Sequence, residues 1–445
     1  MQSVSVHIKK TLSLAYPVMI GQLGFMMMGV VDSVMVGRVG AAPLAAASLG
    51  NSLTLLIFII GLGTSFAVTP LVAISVGANK FEECGIYFRQ SLIVNLSFSV
   101  ILLAVTFLCA DLIVYFNQPP DVVVLATSYT KILGLSVIPT LFFHTYKQFI
   151  EGLSIMRPAM IVTLAANIIN FIGNWIFIYG NLGFPAYGLD GAGWSTFFSR
   201  VFMGVMLMIY VMRTDYYKQF DVSFHFKKIN IAIIKRILSI GLPSGFQYFF
   251  EVGAFSFAVI MVGWLGTKPL AAHQIAINLA SISFMVVLGI SSAGGIRVGN
   301  AVGQKNILET RKAGFTAILL GAGIMCTSGI TFIVLRRFLP SLYIDDKTVI
   351  SIASSLLIIA ALFQISDGVQ AVGIGVLRGL TDVKVPTFIT FTAYWIIGLP
   401  VAYLLGFILH LGVQGVWIGL LTGLTASAIM LTFRFNKRSS TEINL

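Results

Sequence analysis

The sequence predicts an all-α polytopic membrane protein: twelve transmembrane helices in two six-helix bundles, related by a pseudo-two-fold axis along the membrane normal. Of its 445 residues, 57% are hydrophobic and 10% are charged, whereas a soluble protein carries about 25% charged residues. Apolar windows of about 20 residues, long enough to cross a bilayer, recur along the whole chain. The two halves of the chain also repeat one another, and repeats of six helices each enter the membrane in the same direction.

The apolar windows predict helices with approximate bounds 11–36, 45–76, 88–114, 122–148, 157–180, 188–212, 231–264, 272–300, 312–338, 347–377, 384–408 and 412–435. The longest polar interval runs from Arg213 to Arg236, between the sixth and seventh helices. It predicts a first lobe of residues 1–212, a cytoplasmic linker of residues 213–230 and a second lobe of residues 231–445.

Basic residues predict the orientation in the membrane. The N-terminus, the connections after even-numbered helices and the C-terminus carry most of the 28 Lys and Arg residues, while Lys131 and Arg200 lie within helices. Cytoplasmic segments are enriched in Lys and Arg, so both termini are predicted to be cytoplasmic. The net charge of +12 is typical of loops beside anionic lipid. Because the aromatic residues lie in apolar spans and not beside a basic patch, no nucleic-acid partner is expected.

The internal repeat holds a single register over the first helices of each half. The segment Val36-Gly-Arg-Val-Gly-Ala-Ala-Pro-Leu-Ala-Ala46 matches Val262-Gly-Trp-Leu-Gly-Thr-Lys-Pro-Leu-Ala-Ala272 at 7 of 11 positions. The same offset of 226 residues superposes further pairs: Leu12-Ser13 on Leu238-Ser239, Pro17 on Pro243, Gly63 on Gly289 and Val76-Gly77 on Val302-Gly303. Chance similarity between apolar segments does not keep one register over this length.

Three carboxylates lie inside predicted transmembrane helices: Asp32, Glu251 and Asp367. An acid at membrane depth costs at least about 2.5 kcal/mol on insertion scales, so such residues usually bind a cation, relay a proton or counter a charged ligand. None of the three is repeated, since Asp32 aligns with Ala258 and Glu251 with Phe25. The alternative is that each acid hydrogen-bonds a neighbouring donor and only locks helices together. The pattern favours a transporter.

Polar neighbours for these acids are available in both lobes. Asn170 and Asn174 are four residues apart on one helix face and are predicted to orient Asp32. In the second lobe, Gln247 precedes Glu251 by one turn and Asn278 lies on the next helix. Amide side chains in transmembrane helices also serve as hydrogen-bonding contacts between helices, and that alternative stays open here.

Flat aromatic and flexible Met side chains are abundant in the spans. Such surfaces suit a pocket for varied planar cations, although packing against lipid produces similar stripes. The residues in question are Phe25, Met26 to Met28, Phe249, Phe250, Phe255, Phe284, Met285 and Phe363.

Several function classes lack their sequence motifs. The chain has no Gly-x-x-x-x-Gly-Lys-Ser/Thr loop for an ATP-driven motor. It has no His-Glu-x-x-His or Gly-x-Ser-x-Gly motif for an embedded hydrolase. A potassium-filter sequence and an Arg ladder are also absent, which argues against a gated channel.

The segments around the three acids resemble the MATE multidrug exporters. They are Val-Asp32-Ser-Val-Met-Val-Gly in the first helix, Phe-Phe-Glu251 in the seventh and Asp367-Gly-Val-Gln-Ala-Val in the tenth. The run Gly375-Val-Leu-Arg378-Gly-Leu-Thr-Asp382-Val-Lys-Val-Pro386 is similar to the family signature, and Ala272-His-Gln-Ile-Ala-Ile-Asn278 to its eighth-helix motif. The resemblance covers nearly the whole chain and is strongest to the NorM-type bacterial branch.

The resemblance implies a secondary antiporter of the bacterial inner membrane. It would export organic cations in exchange for inward Na+ or H+, with no other cofactor, and we expect a monomer. By the same resemblance, Glu251 and Asp367 form the coupling-cation site, a candidate Na+ site, and Asp32 forms a proton, cation or substrate site. Branch members with a described Na+ site carry a Tyr one turn before the tenth-helix Asp, where this chain has Phe363. Losing that oxygen weakens the expectation of Na+ coordination.

Two alternatives belong to other function classes. A lipid-linked oligosaccharide flippase of the same superfamily would share the architecture, but it would be expected to line its path with basic residues. Only Lys131 and Arg200 are available for that role. An intramembrane enzyme using the pair of Glu251 and Asp367 would turn over in detergent without an ion gradient.

Overall fold

The computed structural model describes residues 4–116, 118–222 and 229–441. Within these residues, twelve helices are long and apolar enough to cross a membrane, which confirms the predicted all-α, twelve-span fold. Numbered in chain order, spans 1 to 12 are Ser5–Gly37, Ala41–Gly77, Phe81–Phe116, Pro120–Gly152, Arg157–Phe177, Leu189–Arg213, Ile231–Gly263, Thr267–Gly303, Ile307–Val334, Lys347–Gly379, Lys384–Ile408 and Gly412–Ser439. Part of the predicted linker, residues 223–228 with Lys227 and Lys228, lies outside the described residues.

Four spans are not uninterrupted α-helices, although the sequence predicts one helix for each. Span 2 consists of Ala41–Ser65 and Val68–Gly77, and span 4 consists of Pro120–Leu135 and Val137–Gly152. Span 3 is α-helical over Phe81–Asp111 and ends in a 3₁₀ segment, Leu112–Phe116. Span 11 alternates between α-helix at Lys384–Phe391 and Leu399–Tyr403 and π-helix at Thr392–Gly398 and Leu404–Ile408. Apolar periodicity does not register such interruptions.

The chain forms two compact units. The first unit comprises Met1–Met19 and Phe246–Leu445, and the second comprises Ile20–Gly245. The two points of division, after Met19 and after Gly245, are separated by the repeat offset of 226 residues and each follows a Pro by two positions. Spans 1 and 7 therefore each contribute residues to both units. The assignment of lobes to residues 1–212 and 231–445 stays a prediction.

Each unit contains the same close approach between two helix backbones. In the second unit, a Cβ on Gly241 would lie 2.7 Å from the Cα of Thr64, and one on Gly63 would overlap the backbone of Gly245. In the first unit, a Cβ on Gly289 would lie 2.8 Å from the carbonyl oxygen of Ala15. The offset of 226 residues maps Gly63 on Gly289 and Gly241 on Ala15. Small residues allow helices to approach closely in membranes. The internal repeat is therefore visible in the helix packing of both units as well as in the sequence.

A buried cation ties the beginning of span 1 to spans 8 and 9 within the first unit. The side chain of Arg297 is 8% exposed. Its Nη1 donates to the carbonyl oxygen of His7 at 2.9 Å and to Oγ1 of Thr11 at 2.7 Å, and its Nη2 lies 3.5 Å from Oε1 of Glu309. A buried charge is tolerated only when it is paired and hydrogen-bonded, so these contacts hold the first turns of span 1 in place.

Span 10 begins with a carboxylate cap. Oδ1 of Asp346 accepts from the backbone N–H of Thr348 at 2.7 Å and of Val349 at 3.2 Å. The hydrogen bonds from the N–H groups of Val349 and Thr348 hold the pKa of Asp346 below its usual value. Asn caps helices as well as Asp does, so Asp346→Asn should leave span 10 intact.

We expect Gly63→Ala to destabilise the protein by about 1–3 kcal/mol, because the added methyl group has no room without moving a backbone. The measurement is the thermal unfolding midpoint of the purified protein in detergent, followed by tryptophan fluorescence. The control is Gly29→Ala in span 1, where nothing lies within 4 Å of the added Cβ and alanine favours the helix. Equal midpoints for the two variants would contradict the close approach at Gly63.

Candidate functional site

The carboxylate of Asp32 lies in the second unit and is hydrogen-bonded through both of its oxygens. Asp32 is 7% exposed. Nδ2 of Asn174 donates to Oδ1 at 2.6 Å, and Oγ1 of Thr196 donates to Oδ2 at 2.9 Å. These donors come from spans 5 and 6, so three spans meet at one acid. Neutral donors satisfy the carboxylate without neutralising its charge, which leaves it able to accept a proton or a small cation.

A second set of contacts orients these donors. Asn170 lies one turn before Asn174, and its Oδ1 accepts from Nδ2 of Asn174 at 3.3 Å. The backbone oxygen of Asn170 accepts from Oγ of Ser195 at 2.8 Å. The structure therefore brings Asp32, Asn170 and Asn174 together in the arrangement that their spacing predicts. Thr196 was missed, because a hydroxyl in an apolar helix carries no distinctive sequence signal. The functional role of the group stays a prediction.

Lys131 and Arg200, the two cations that the sequence offers for a basic path, contact protein groups in the second unit. Arg200 lies one turn after Thr196; its Nη1 donates to the hydroxyl of Ser136, and its guanidinium lies 5.7 Å from the ring centroid of Phe58. Nζ of Lys131 is 2.6 Å from Oδ1 of Asp111 at the end of span 3. These contacts leave Lys131 and Arg200 less available to bind a pyrophosphate.

The first unit brings Glu251 and Asp367 together. Glu251 in span 7 is 6% exposed and Asp367 in span 10 is 5% exposed. The two carboxylates are close enough to act on one another electrostatically, and the amide of Gln370 lies beside Glu251. Gln370 follows Asp367 by three residues and therefore shares its helix face. Two apposed carboxylates repel unless a proton or a cation is bound between them.

The predicted supporting residues of the first unit have different placements. Nε2 of Gln247 donates to Oγ1 of Thr390 at 3.4 Å, which links spans 7 and 11. Oδ1 of Asn278 accepts from Nε2 of Gln274 at 3.3 Å within span 8. Phe284 is partly buried in span 8. These contacts connect Gln247 and Asn278 to neighbours other than the carboxylates, and a functional role for the three residues stays a prediction.

The ring of Phe363 is 2% exposed and belongs to an aromatic cluster beside the acids. Its centroid lies 6.0 Å from that of Phe255 and 5.7 Å from that of Trp417. Nε1 of Trp417 donates to Nδ1 of His273 at 3.0 Å. Phe363 therefore fills space in the core and contributes no oxygen to the acidic pair.

Sequence reasoning missed a tyrosine next to the acids. Tyr394 in span 11 is 0% exposed, and both Glu251 and Asp367 act on it electrostatically. No group of three or more His, Cys, Asp or Glu side chains forms a metal cluster in the described part of the chain. If the two carboxylates share one proton, they carry a single negative charge, which one monovalent cation balances.

Comparisons with known proteins agree with this architecture. The MatE family profile matches the chain twice, over residues 17–176 and 243–404. The two matches begin at Pro17 and Pro243, in the register of the internal repeat. The multidrug resistance protein MdtK of Yersinia enterocolitica is 36% identical over 439 residues, covering 98% of this chain and 96% of the relative.

Solved structures of transporters share the fold. The eukaryotic MATE transporter AtDTX14 superposes with a TM-score of 0.88 at 19% identity, covering 98% of both chains. An Asp-to-Asn mutant of the Vibrio cholerae MATE transporter VcmN superposes with a TM-score of 0.90 at 19% identity, covering 98% of this chain and 97% of that one. Both the double profile match and the identity over nearly the full length show that this multi-pass membrane protein belongs to the MATE family of secondary transporters and is not an enzyme.

Proposed function

We propose that the protein exports cationic, amphipathic drugs and toxins by alternating access, in exchange for inward H+ or Na+. The observation that carries the proposal is the buried pair of Glu251 and Asp367, whose charges act on one another inside an apolar unit. Keeping two repelling carboxylates at membrane depth is costly, and binding a proton or a cation relieves that cost. A site whose charge state depends on a bound ion can bias the equilibrium between two conformations.

The name of the Yersinia relative supports small-molecule drugs as the exported substrates. Organic cations are the class that the acidic spans favour, since a desolvated positive charge needs a negative partner. The half-buried ring of Phe255, one turn after Glu251, offers a flat surface for planar ligands.

Asp32 is the proposed second ion site. Its carboxylate is held by Asn174 and Thr196, and the neutral oxygens around it suit a proton or Na+ equally. A substrate cation is the third candidate for the same carboxylate. The two units would then each contain one acidic site, built from different residues.

The proposed location is the bacterial inner membrane with both termini in the cytoplasm. The bacterial relatives support a location in a bacterial membrane. The distribution of Lys and Arg supports the cytoplasmic placement of both termini. A monomer is proposed because each unit contains its own acidic site within one chain. The flippase alternative loses support, since Lys131 and Arg200 already contact Asp111, Ser136 and Phe58.

The Asp367→Asn variant should lose drug export while it still folds. Asn keeps the size of the side chain and removes the charge that the bound ion is proposed to balance. The measurement is efflux of a fluorescent organic cation from proteoliposomes. The control is Asp346→Asn on the same helix, which keeps its cap and should export as the parent protein does. Undiminished efflux by Asp367→Asn would refute the proposed role of the pair.

The Thr196→Val variant should lose about 1–3 kcal/mol of stability, because one oxygen of the buried carboxylate of Asp32 is left without a donor. Thr163→Val is a matched control: both threonines are 4% exposed, but Oγ1 of Thr163 bonds only the carbonyl oxygen of Ala159. Unfolding midpoints of the purified variants test the difference. If the two variants have the same unfolding midpoint, the hydrogen bond from Thr196 to Asp32 does not contribute to stability.

The coupling ion is tested in proteoliposomes with separately imposed Na+ and H+ gradients. The proposal expects at least one inward gradient to drive efflux and Asp32→Asn to reduce the driven rate. Efflux that proceeds at the same rate without any ion gradient would rule out antiport.

A further inference from the structure

The hydroxyl group of Tyr394 is buried without a hydrogen-bond partner. The residue is 0% exposed, and its Oη contacts no donor or acceptor among the described residues. A buried polar atom is normally satisfied, and an exception calls for an explanation such as an ion that binds there. Glu251 and Asp367 act electrostatically on Tyr394, and its hydroxyl can offer an ion an oxygen without adding charge.

The backbone around Tyr394 has an unusual conformation. Tyr394 lies in the π-helical segment Thr392–Gly398. Such segments insert an extra residue into a turn, change which side chains face a neighbour and occur often at functional sites. The next residue, Trp395, donates from Nε1 to the backbone oxygen of Phe250 at 2.9 Å, and Phe250 directly precedes Glu251.

The ring of Tyr394 packs against a residue that follows Glu251 along span 7. Its centroid lies 5.8 Å from that of Phe255, which follows Glu251 by one helical turn. Phe250, which accepts the hydrogen bond, precedes Glu251 along span 7, and Phe255, which contacts the ring, follows it. Asp367 also acts electrostatically on Tyr394, so the hydroxyl is associated with both carboxylates.

We propose that the Tyr394 hydroxyl is the third oxygen of the coupling-cation site formed with Glu251 and Asp367, and that it gives this site its affinity for Na+. The inference rests on the proposed function. Hard cations bind through several oxygen ligands, whereas a proton needs only one carboxylate. The hydroxyl therefore selects between the two ions: removing it weakens Na+ binding and leaves proton binding in place. It supplies, from span 11, an oxygen that Phe363 in span 10 does not provide.

The test compares Na+ binding by the purified full-length protein and its Tyr394→Phe variant. Na+ is titrated against choline at constant ionic strength, and binding is followed by tryptophan fluorescence, to which Trp395 contributes from beside the site. Losing an outer partner of a metal site already costs about 10–100-fold in affinity, and we expect a weakening of at least that size. Any loss of proton-driven efflux by the variant should be smaller than its loss of Na+-driven efflux.

The matched control is Tyr403→Phe in the same span. Tyr403 is 50% exposed and its ring stacks on that of Phe407 at 5.2 Å, so its loss should leave Na+ binding unchanged. Restoring an oxygen from span 10, by adding Phe363→Tyr to Tyr394→Phe, should recover part of the Na+ affinity. Tyr394→Met, which also lacks the hydroxyl, replaces Tyr394→Phe if that variant does not fold.

Two outcomes would overturn the inference while the proposed function stands. In one, Tyr394→Phe binds Na+ as tightly as the parent protein while Asp367→Asn does not bind it. In the other, the parent protein shows no Na+ response and exports under a proton gradient alone. Failure of the proposed function looks different, because Asp367→Asn would then keep full export.

Discussion

The cost of holding a carboxylate away from water is the constraint on which this structure depends. At membrane depth an acid cannot be hydrated, so it must be hydrogen-bonded, paired or bound to an ion. The second unit meets this requirement at Asp32 with neutral donors from two other spans. The first unit places Glu251 and Asp367 where their charges oppose one another. The hydrogen bonds to Asp32 come from the protein, and the proposed ion would relieve the repulsion between Glu251 and Asp367.

These different sites stand on a duplicated scaffold. The close approach at Gly63 in the second unit returns at Gly289 in the first, and both family matches begin at the equivalent Pro17 and Pro243. The acids do not follow the repeat, since the position equivalent to Asp32 is Ala258, which is 0% exposed and packs in the apolar core. Packing requirements preserved the small residues in both units, while each unit acquired its own polar chemistry.

Much of the fold and part of the site could be predicted from the sequence. The twelve spans could be predicted from the length of the apolar segments, because the thickness of the bilayer sets that length. Asn170 and Asn174 could be predicted from their helical spacing and from the unrepeated acid Asp32. Thr196 could not be found, since a threonine in a membrane helix commonly bonds its own backbone, as Thr163 does. Tyr394 was hidden for a second reason: its orientation depends on a π-helical segment, which apolar periodicity does not reveal. The interruptions of the α-helix in spans 2 and 4 could not be predicted for the same reason.

The π-helical segment also shows how a neutral residue can decide the chemistry of charged ones. Trp395 fixes the segment by a hydrogen bond to the backbone of span 7, so the position of Tyr394 is coupled to that of Glu251. A hydroxyl on a flexible side chain would lose entropy on binding an ion, whereas one held by its ring and by the adjacent indole is already in place. In the proposed cation site, span 11 carries no acid yet supplies the oxygen that favours Na+. The ion selectivity of the proposed site is then a property of the helix packed against the acids.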